Sequence, residues 1–305
     1  MSELFLQGLV TRQQAGFHTV FAQGREYTCQ PRGKLKKLKL NEDLIAVGDQ
    51  VLISLLNESS GVIEEILPRK KAFFRLAPSA RGEHKQIMMA NPDRVFLVFA
   101  CAEPEPSLRM LDRFLVIAEK QGIPAFIVAN KTDLVGMKHA RETFEMYPPL
   151  GYPVIYTSVK DGNGIDELHR ELTGRISALS GPSGVGKSSL LNSIQPDLGM
   201  QIGRLRHSSG KGRHTTVVRQ LVPLVGGGYV ADMPGLRTLS FWDTEVEELD
   251  GYFPEMRDLV ADCQYNNCSH LTDPGCAVKA AVEDGRIHPQ RYESYARLRA
   301  GDYSD

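Results

Sequence analysis

Eight consecutive residues constrain this chain more than any others: Gly181-Pro182-Ser183-Gly184-Val185-Gly186-Lys187-Ser188. They match the G-x-x-x-x-G-K-[ST] pattern, follow a predicted strand over residues 175–180 and open a predicted helix over Lys187–Ile194. In that context the glycines let the backbone curl until its N–H groups face phosphate oxygens, beside a helix N-terminus that favours negative charge. Lys187 is placed to reach the β- and γ-phosphates, and the Ser188 hydroxyl to ligate Mg²⁺. The stretch running on through Ser189 is therefore the expected phosphate cradle of a nucleoside triphosphate, and by itself it does not choose the base.

The surrounding pattern predicts the layer that such a loop needs. Residues 94–102 form a continuous apolar run. A helix over 106–122, a strand over 123–129, a helix over 137–147, a strand over 153–157 and a helix over Ile165–Leu172 follow, and a last strand is predicted over Tyr229–Asp232. Strands alternating with helices of this length argue for a parallel sheet covered on both faces. Residues 1–67 read differently, with short strands over 4–10, 18–22, 26–30 and 49–55 separated by Gly or polar turns. Five or so strands in so short a stretch fit an OB-fold β-barrel, with Pro68-Arg69-Lys70-Lys71 as its exit linker. An acidic run after Trp242 opens a third, mainly helical segment that closes with a helix over 289–300. The expected domains are 1–68, an OB-fold; 69–242, an α/β P-loop domain; and 243–305.

The base is suggested by two short loops. Asn130-Lys131-Thr132-Asp133 ends a predicted strand, the correct end for a ligand in a parallel sheet. Asp133 can accept from both the ring N–H and the exocyclic amine of guanine, Asn130 can meet the opposite base edge, and the Lys131 stem can cover the ring. Selection of this kind discriminates by ~10⁴, because the wrong base leaves buried groups unpaired. Ser158-Val159-Lys160 follows the next strand, where GTPases place a Ser-Ala-Lys loop whose Ser and Lys contact the base. The order is unusual: Asn130 lies 51 residues before Gly181, whereas ordinary GTPases run from the phosphate loop to the base loops. The chain resembles a circularly permuted GTPase.

Charge and cysteine usage bear on partners. The 305 residues sum to −1, which excludes a uniformly basic nucleic-acid coat, yet residues 1–71 carry +2, 72–242 carry +5 and 243–305 carry −8. Two stretches are basic without an acid: Arg32, Lys34, Lys36, Lys37 and Lys39, and Arg204, Arg206, Lys211, Arg213 and Arg219. Both suit a phosphate backbone, and the expected RNA contacts are the first five with Arg204, Arg206, Lys211 and Arg213. On the acidic C-terminal segment, Arg291, Arg297 and Arg299 of the closing helix are the candidate contacts. Cys263, Cys268, His270 and Cys276 place four soft ligands within 14 residues and read as a structural tetrahedral zinc site. Cys29 and Cys101 lie in predicted strands and read as buried, inert thiols. No apolar run approaches the ~18 residues of a membrane span, and the first residues lack a signal-peptide pattern, so the chain reads as soluble and cytoplasmic.

Permuted motif order together with the zinc signature is very specific, and on these residues the whole chain resembles the RsgA (YjeQ/EngC) family of circularly permuted GTPases. The resemblance implies GTP hydrolysis late in maturation of the small ribosomal subunit, stimulated by the subunit, with that subunit, its 16S-type rRNA and GTP/GDP as partners and a monomeric chain. It implies that Gly212-Arg213-His214-Thr215-Thr216 is switch I. Val217 stands where the family motif has a third Thr, leaving open whether Thr215 or Thr216 ligates Mg²⁺. In Asp232-Met233-Pro234-Gly235, Asp232 would hold Mg²⁺ through water and the Gly235 N–H would sense the γ-phosphate. Leu236 occupies the position where Ras-like enzymes carry a water-orienting glutamine, and the resemblance offers His214 as its substitute. Two other readings stay open: a P-loop phosphotransferase acting on a small molecule, and an RNA-binding protein that holds GTP only as a structural ligand.

Overall fold

The computed structural model describes residues 5–36, 42–79, 82–196, 219–233 and 245–303. Lys37, Lys39, Arg204, Arg206, Lys211, Arg213, His214, Thr215, Thr216 and Gly235 lie outside the described residues, and of Lys36 and Asp232 only the backbone is described. The chain divides into two compact units: residues 1–95, 165–180 and 187–239, and residues 96–164, 181–186 and 240–305.

The first unit begins with β1 (Leu6–Gln14), β2 (Phe17–Ala22), β3 (Arg25–Pro31), α1 (Gly33–Lys36), β4 (Gln50–Leu55) and β5 (Ser60–Ile66). The strands run in the order β1-β2-β3-β5-β4, with β4 pairing back on β1 and β3 parallel to β5, which closes a five-stranded barrel of OB-fold topology. Alternate residues point inward, so Val10, Val20, Cys29, Val51, Ile53 and Ile63 fill the interior while the residues between them face out. The four strands expected from the sequence are all present. β5 was not among them, because its paired acids break the apolar alternation. Glu64 is nonetheless only 8% exposed, its carboxylate caught by the Arg32 guanidinium and the Ser54 hydroxyl.

The expected exit linker is welded to the barrel. Arg69 forks onto both oxygens of Asp49 at 2.8 Å, reaches Glu42 at 2.9 Å and donates to the Asp43 and Leu44 carbonyls. The next element is a hairpin, β6 (Ala72–Ser79) with β7 (Gly82–Ala90), which the sequence pattern does not reveal. Pro78 and several charges hide its periodicity, and a two-stranded ribbon leaves each strand an edge on which proline is tolerated.

The second unit contains most of β8 (Arg94–Ala100), then α2 (Leu108–Lys120), β9 (Ala125–Asn130), α3 (Met137–Phe144) and β10 (Val154–Thr157). Its strands lie in the order β10-β9-β8, with β10 parallel to β9. The first unit resumes with α4 (Ile165–Leu172), β11 (Ile176–Ser180), α5 (Lys187–Ile194), β12 (Arg219–Gln220), β13 (Val222–Pro223) and β14 (Tyr229–Asp232). There β14 runs parallel to β11, and β12 extends the barrel by pairing with the end of β1. In the run 94–102 every residue from Val95 to Cys101 is buried, as an apolar stretch without alternation requires.

The C-terminal part of the second unit is mainly helical: α6 (Pro254–Arg257), α7 (Ala277–Glu283) and α8 (Pro289–Arg299). α8 packs on α2, and one expectation fails here. Arg291 is fully buried, bonded to Asp112 at 2.6 Å and to Glu255 at 2.7 and 3.2 Å, so it is not a surface RNA contact. A guanidinium can enter a helix interface when two carboxylates neutralise it, and an RNA contact on Arg291 would need both bonds broken. Ser294 and Tyr147 donate to the same Asp112 carboxylate, completing its hydrogen bonding.

Candidate nucleotide and metal sites

The phosphate-loop sequence leaves β11 at Ser180 and curls back beside β8 and β9. Gly181 passes so close to β8 that a Cβ there would lie 2.0 Å from the Val98 carbonyl oxygen. Gly186 has φ +97°, and a Cβ on it would lie 2.5 Å from Nδ2 of Asn130. Only glycine satisfies both positions. Between them Pro182 and Val185 are buried, while Ser183 and Gly184 face solvent. Lys187 and Ser188 then open α5, held in place by buried Leu190 and Leu191, with Ser189 exposed. Lys187 is 7% exposed.

Ser188 Oγ is buried without a hydrogen-bond partner. An orphaned hydroxyl is costly unless something else takes it, and an oxygen donor at the first turn after a phosphate loop suits a hard divalent cation. The residues present therefore fit Mg²⁺ held with a nucleotide. Asp232 lies opposite Leu179 in the β11–β14 register, two residues before the loop begins.

The expected base loops come together in the second unit. Asn130 ends β9, is 2% exposed, and turns its amide inward: Nδ2 donates to the Val185 carbonyl at 2.8 Å, and Oδ1 accepts from the Thr157 hydroxyl at 2.9 Å. Its side chain therefore fastens the phosphate loop to the strand ends, where the sequence suggested a contact to the base edge. Lys131 takes a left-handed turn at φ +63°, and its ammonium donates to the Glu103 carbonyl. Thr132 is buried and bonds the Thr157 carbonyl at 3.2 Å. The Asp133 carboxylate accepts from the Ser158 hydroxyl at 2.8 Å, and Lys160 Nζ stands 4.0 Å from its other oxygen. Ser158 in turn accepts from the Asp161 N–H at 3.1 Å, so both loops are braced against each other.

Cys263, Cys268, His270 and Cys276 offer donor atoms that all lie within 4.8 Å of one another. Nδ1 of His270 faces the sulfurs, 3.5 Å from Cys263 and 3.4 Å from Cys276. Three thiols and an imidazole nitrogen in this arrangement fit a four-coordinate soft-ligand site such as that of zinc, with ligands about 3.8 Å apart around a tetrahedral ion. Asp250, which the sequence did not single out, lies with Oδ2 3.1 Å from His270 Nε2. It fixes the tautomer that turns Nδ1 to the sulfurs. The backbone is drawn around the cluster by Tyr292 and Tyr295, whose hydroxyls donate to the His270 and Ser269 carbonyls at 2.7 and 3.0 Å. Cys29 and Cys101 are buried, and desolvation pushes both thiols up to about 11, which keeps them protonated and inert.

Of the expected RNA contacts, Lys34 is exposed on α1, and the Arg32 guanidinium is paired with Glu64. The barrel also presents an aromatic that the sequence pattern does not mark: Phe17 on the outer face of β2 is 48% exposed, and Phe21, four residues further along the same strand, meets Tyr229 edge-on at 6.4 Å. Its only sequence signal was a large apolar residue at an outward position of the alternation. No described helix is long and apolar enough to cross a membrane.

Known proteins share this architecture over nearly the whole chain. The RsgA N-terminal domain model matches residues 7–63 and the RsgA GTPase model residues 66–242. The small ribosomal subunit biogenesis GTPase RsgA of Gemmatimonas aurantiaca is 44% identical over 296 residues, covering 96% of each chain. The crystal structure of YjeQ from Thermotoga maritima superposes with a TM-score of 0.80 at 38% identity, covering 99% of this chain and 100% of that one. YloQ, described as a circularly permuted GTPase, gives 0.76 at 31% identity, over 98% of this chain and 95% of the other. With a family model spanning more than half its length and relatives of this identity end to end, the chain belongs to the RsgA family of circularly permuted GTPases.

Proposed function

We propose that the protein hydrolyses GTP as an assembly factor in late maturation of the small ribosomal subunit, that the subunit stimulates hydrolysis, and that hydrolysis times release. The observation that carries the reading is the joining of three separate sequence motifs through Asn130–Val185 and Asp133–Ser158, which braces a guanine-selecting carboxylate against the phosphate loop. The name carried by the Gemmatimonas relative supplies the ribosomal context.

Three parts divide the work. The barrel (1–68) and the basic residues Arg32, Lys34, Lys36, Lys37, Lys39, Arg204, Arg206, Lys211 and Arg213 contact 16S-type rRNA, with Phe17 offering a face on which a base stacks. In 69–242, Asp133 reads guanine, Lys160 and Lys131 flank it, the loop Gly181–Ser189 cradles the phosphates, and Lys187 neutralises charge on the transferred phosphoryl group. Ser188, Asp232 and Thr215 or Thr216 would hold Mg²⁺, directly or through water, and the ion would supply neutralisation of the phosphate charge. Gly235 senses the γ-phosphate. Leu236 cannot orient an attacking water, so His214 takes that role when the subunit closes switch I over the nucleotide. In 243–305 one structural zinc ion on Cys263, Cys268, His270 and Cys276 supplies folding energy to a segment with little core of its own. The chain acts in the cytoplasm as a monomer.

Phosphate release from GTP and from ATP, with and without purified small subunits, tests the reading. GTP-selective turnover that is slow alone and rises at least about tenfold with subunits is expected from a partner-completed site. Turnover of ATP would remove the guanine assignment, and GTP turnover indifferent to subunits would remove the assembly role. His214→Ala is expected to lose the stimulation while keeping nucleotide binding.

A further inference from the structure

A cleft of about 530 Å³ opens at the α1 end of the barrel, between the exit of β5 and the hairpin β6–β7. Its floor is apolar, made by Ile66, Phe74 and Ile87, and its rim is basic, made by Lys70, Lys71 and Lys85. Leu35 of α1 also lines it, next to exposed Lys34. Among the described residues two acids line it: Glu42, which is paired with Arg69 at 2.9 Å, and exposed Glu65. The rim is therefore net positive. Lys85 Nζ stands 4.7 Å from the centroid of the Phe74 ring. Lys85 is exposed on a flexible stem, so a planar group can take its place over the ring while the ammonium moves outward to an anion.

We propose that this cleft holds one unstacked nucleotide of a single-stranded RNA, its base against Phe74 and its flanking phosphates on Lys70, Lys71 and Lys85. The proposal rests on the reading that the protein acts on rRNA and adds a second contact to it. OB-folds bind nucleic acid on the face of their second and third strands and on the loops between strands one and two and four and five. No residue lining this cleft comes from β2 or β3. An aromatic floor inside a ring of cations matches what an unpaired nucleotide presents: a π-face between phosphates. A duplex keeps its bases stacked away from such a floor. An acidic peptide would satisfy the lysines and leave the ring unused. Because Arg69 locks the chain at 67–72 to Asp49 and Glu42, the cleft is preformed, and binding costs little ordering of its walls.

The test uses the full-length protein and a fluorescein-labelled, 4-thiouridine-containing single strand, with the matching duplex as comparison. Phe74→Leu keeps the apolar floor and removes the ring; the single-strand affinity is expected to fall about fivefold or more, with duplex binding unchanged. Lys70→Ala with Lys71→Ala is expected to flatten the slope of log K against log salt by about 1.4. Irradiation of the unchanged protein is expected to crosslink the strand within residues 66–87, which decides the matter even if Phe74→Leu does not fold. Unchanged affinity in both variants, crosslinks confined to β2, or displacement of the RNA by a polyglutamate peptide as effective as unlabelled RNA would each overturn the proposal. Binding to small subunits is followed in parallel. If subunits bind and the single strand ignores the cleft, the cleft assignment fails alone. If the single strand depends on Phe74 and subunits do not bind, the cleft stands and the ribosomal reading fails.

Discussion

Asn130 donates its side-chain amide to the main-chain oxygen of Val185, 2.8 Å away and 55 residues later in the chain. A residue of the motif proposed to read the base thus holds the phosphate loop in shape, and the Thr157 hydroxyl holds the residue. Asn130→Ala leaves both partners buried and unpaired, at a cost of about 1–3 kcal/mol each. Guanine-nucleotide affinity, measured by titration with a fluorescent GDP analogue, is expected to fall at least about tenfold, and Thr157→Val should fall less because only one bond is lost.

Asp133 keeps one carboxylate oxygen on Ser158, and in the proposed function it accepts from guanine. Asp133→Asn exchanges an acceptor for a donor, which no longer suits the guanine amine but suits a carbonyl at the same ring position. Competition binding should therefore show GTP weakened by ~10² or more and xanthosine triphosphate strengthened relative to it.

The buried charges between α2 and α8 predict a stability effect without a direct loss of nucleotide contacts. Arg291→Ala leaves Asp112 and Glu255 without their cation, and urea denaturation should show a loss of about 3–5 kcal/mol. In a double-mutant cycle with Asp112→Asn, the two losses should fail to add by about 0.5–3 kcal/mol, because they break one network.

Metal removal should act on the C-terminal segment. If the cluster of Cys263, Cys268, His270 and Cys276 holds zinc, a chelator strong enough to strip it should make residues 245–303 exchange their amide hydrogens faster. Asp250→Asn should weaken zinc retention by about 10–100-fold in a competition assay without removing a ligand, since it unseats only the outer nitrogen of His270.

The Arg32–Glu64 pair predicts a pH dependence. Hydrogen bonds from Arg32 hold the Glu64 carboxyl below its ordinary value, against a smaller upward push from burial. A depressed folded value stabilises the protein fully above the unfolded value, about 4.3, and the contribution is lost as pH falls through the folded one. Arg32→Gln should therefore cost about 1 kcal/mol at pH 7, half-exposed as the guanidinium is, and progressively less below pH ~4. Thermal denaturation of both proteins across that range gives the comparison.

Some of this protein was already decided by residues close together in the chain. The loop Gly181–Ser188 announces itself because eight neighbours must satisfy one curled backbone, and Cys263 to Cys276 because four soft donor side chains sit within 14 residues. The barrel showed in the alternation of β1 to β4, which depends only on which residues face inward. Tertiary structure decided what each of these residues spends its bonds on. Asp112 and Arg291 are 179 residues apart, and nothing near Arg291 marks it as a core cation rather than a surface one. Asp250 lies 20 residues before the histidine it orients, in a run of acids that reads as solvated. The hairpin 72–90 and strand β5 were hidden because their charges and Pro78 erase the alternation that pairing would otherwise reveal. Periodicity reports which face of an element is buried; only the packed chain shows which distant group that face meets, and hydrogen bonds and ion pairs reach no further than a few ångströms.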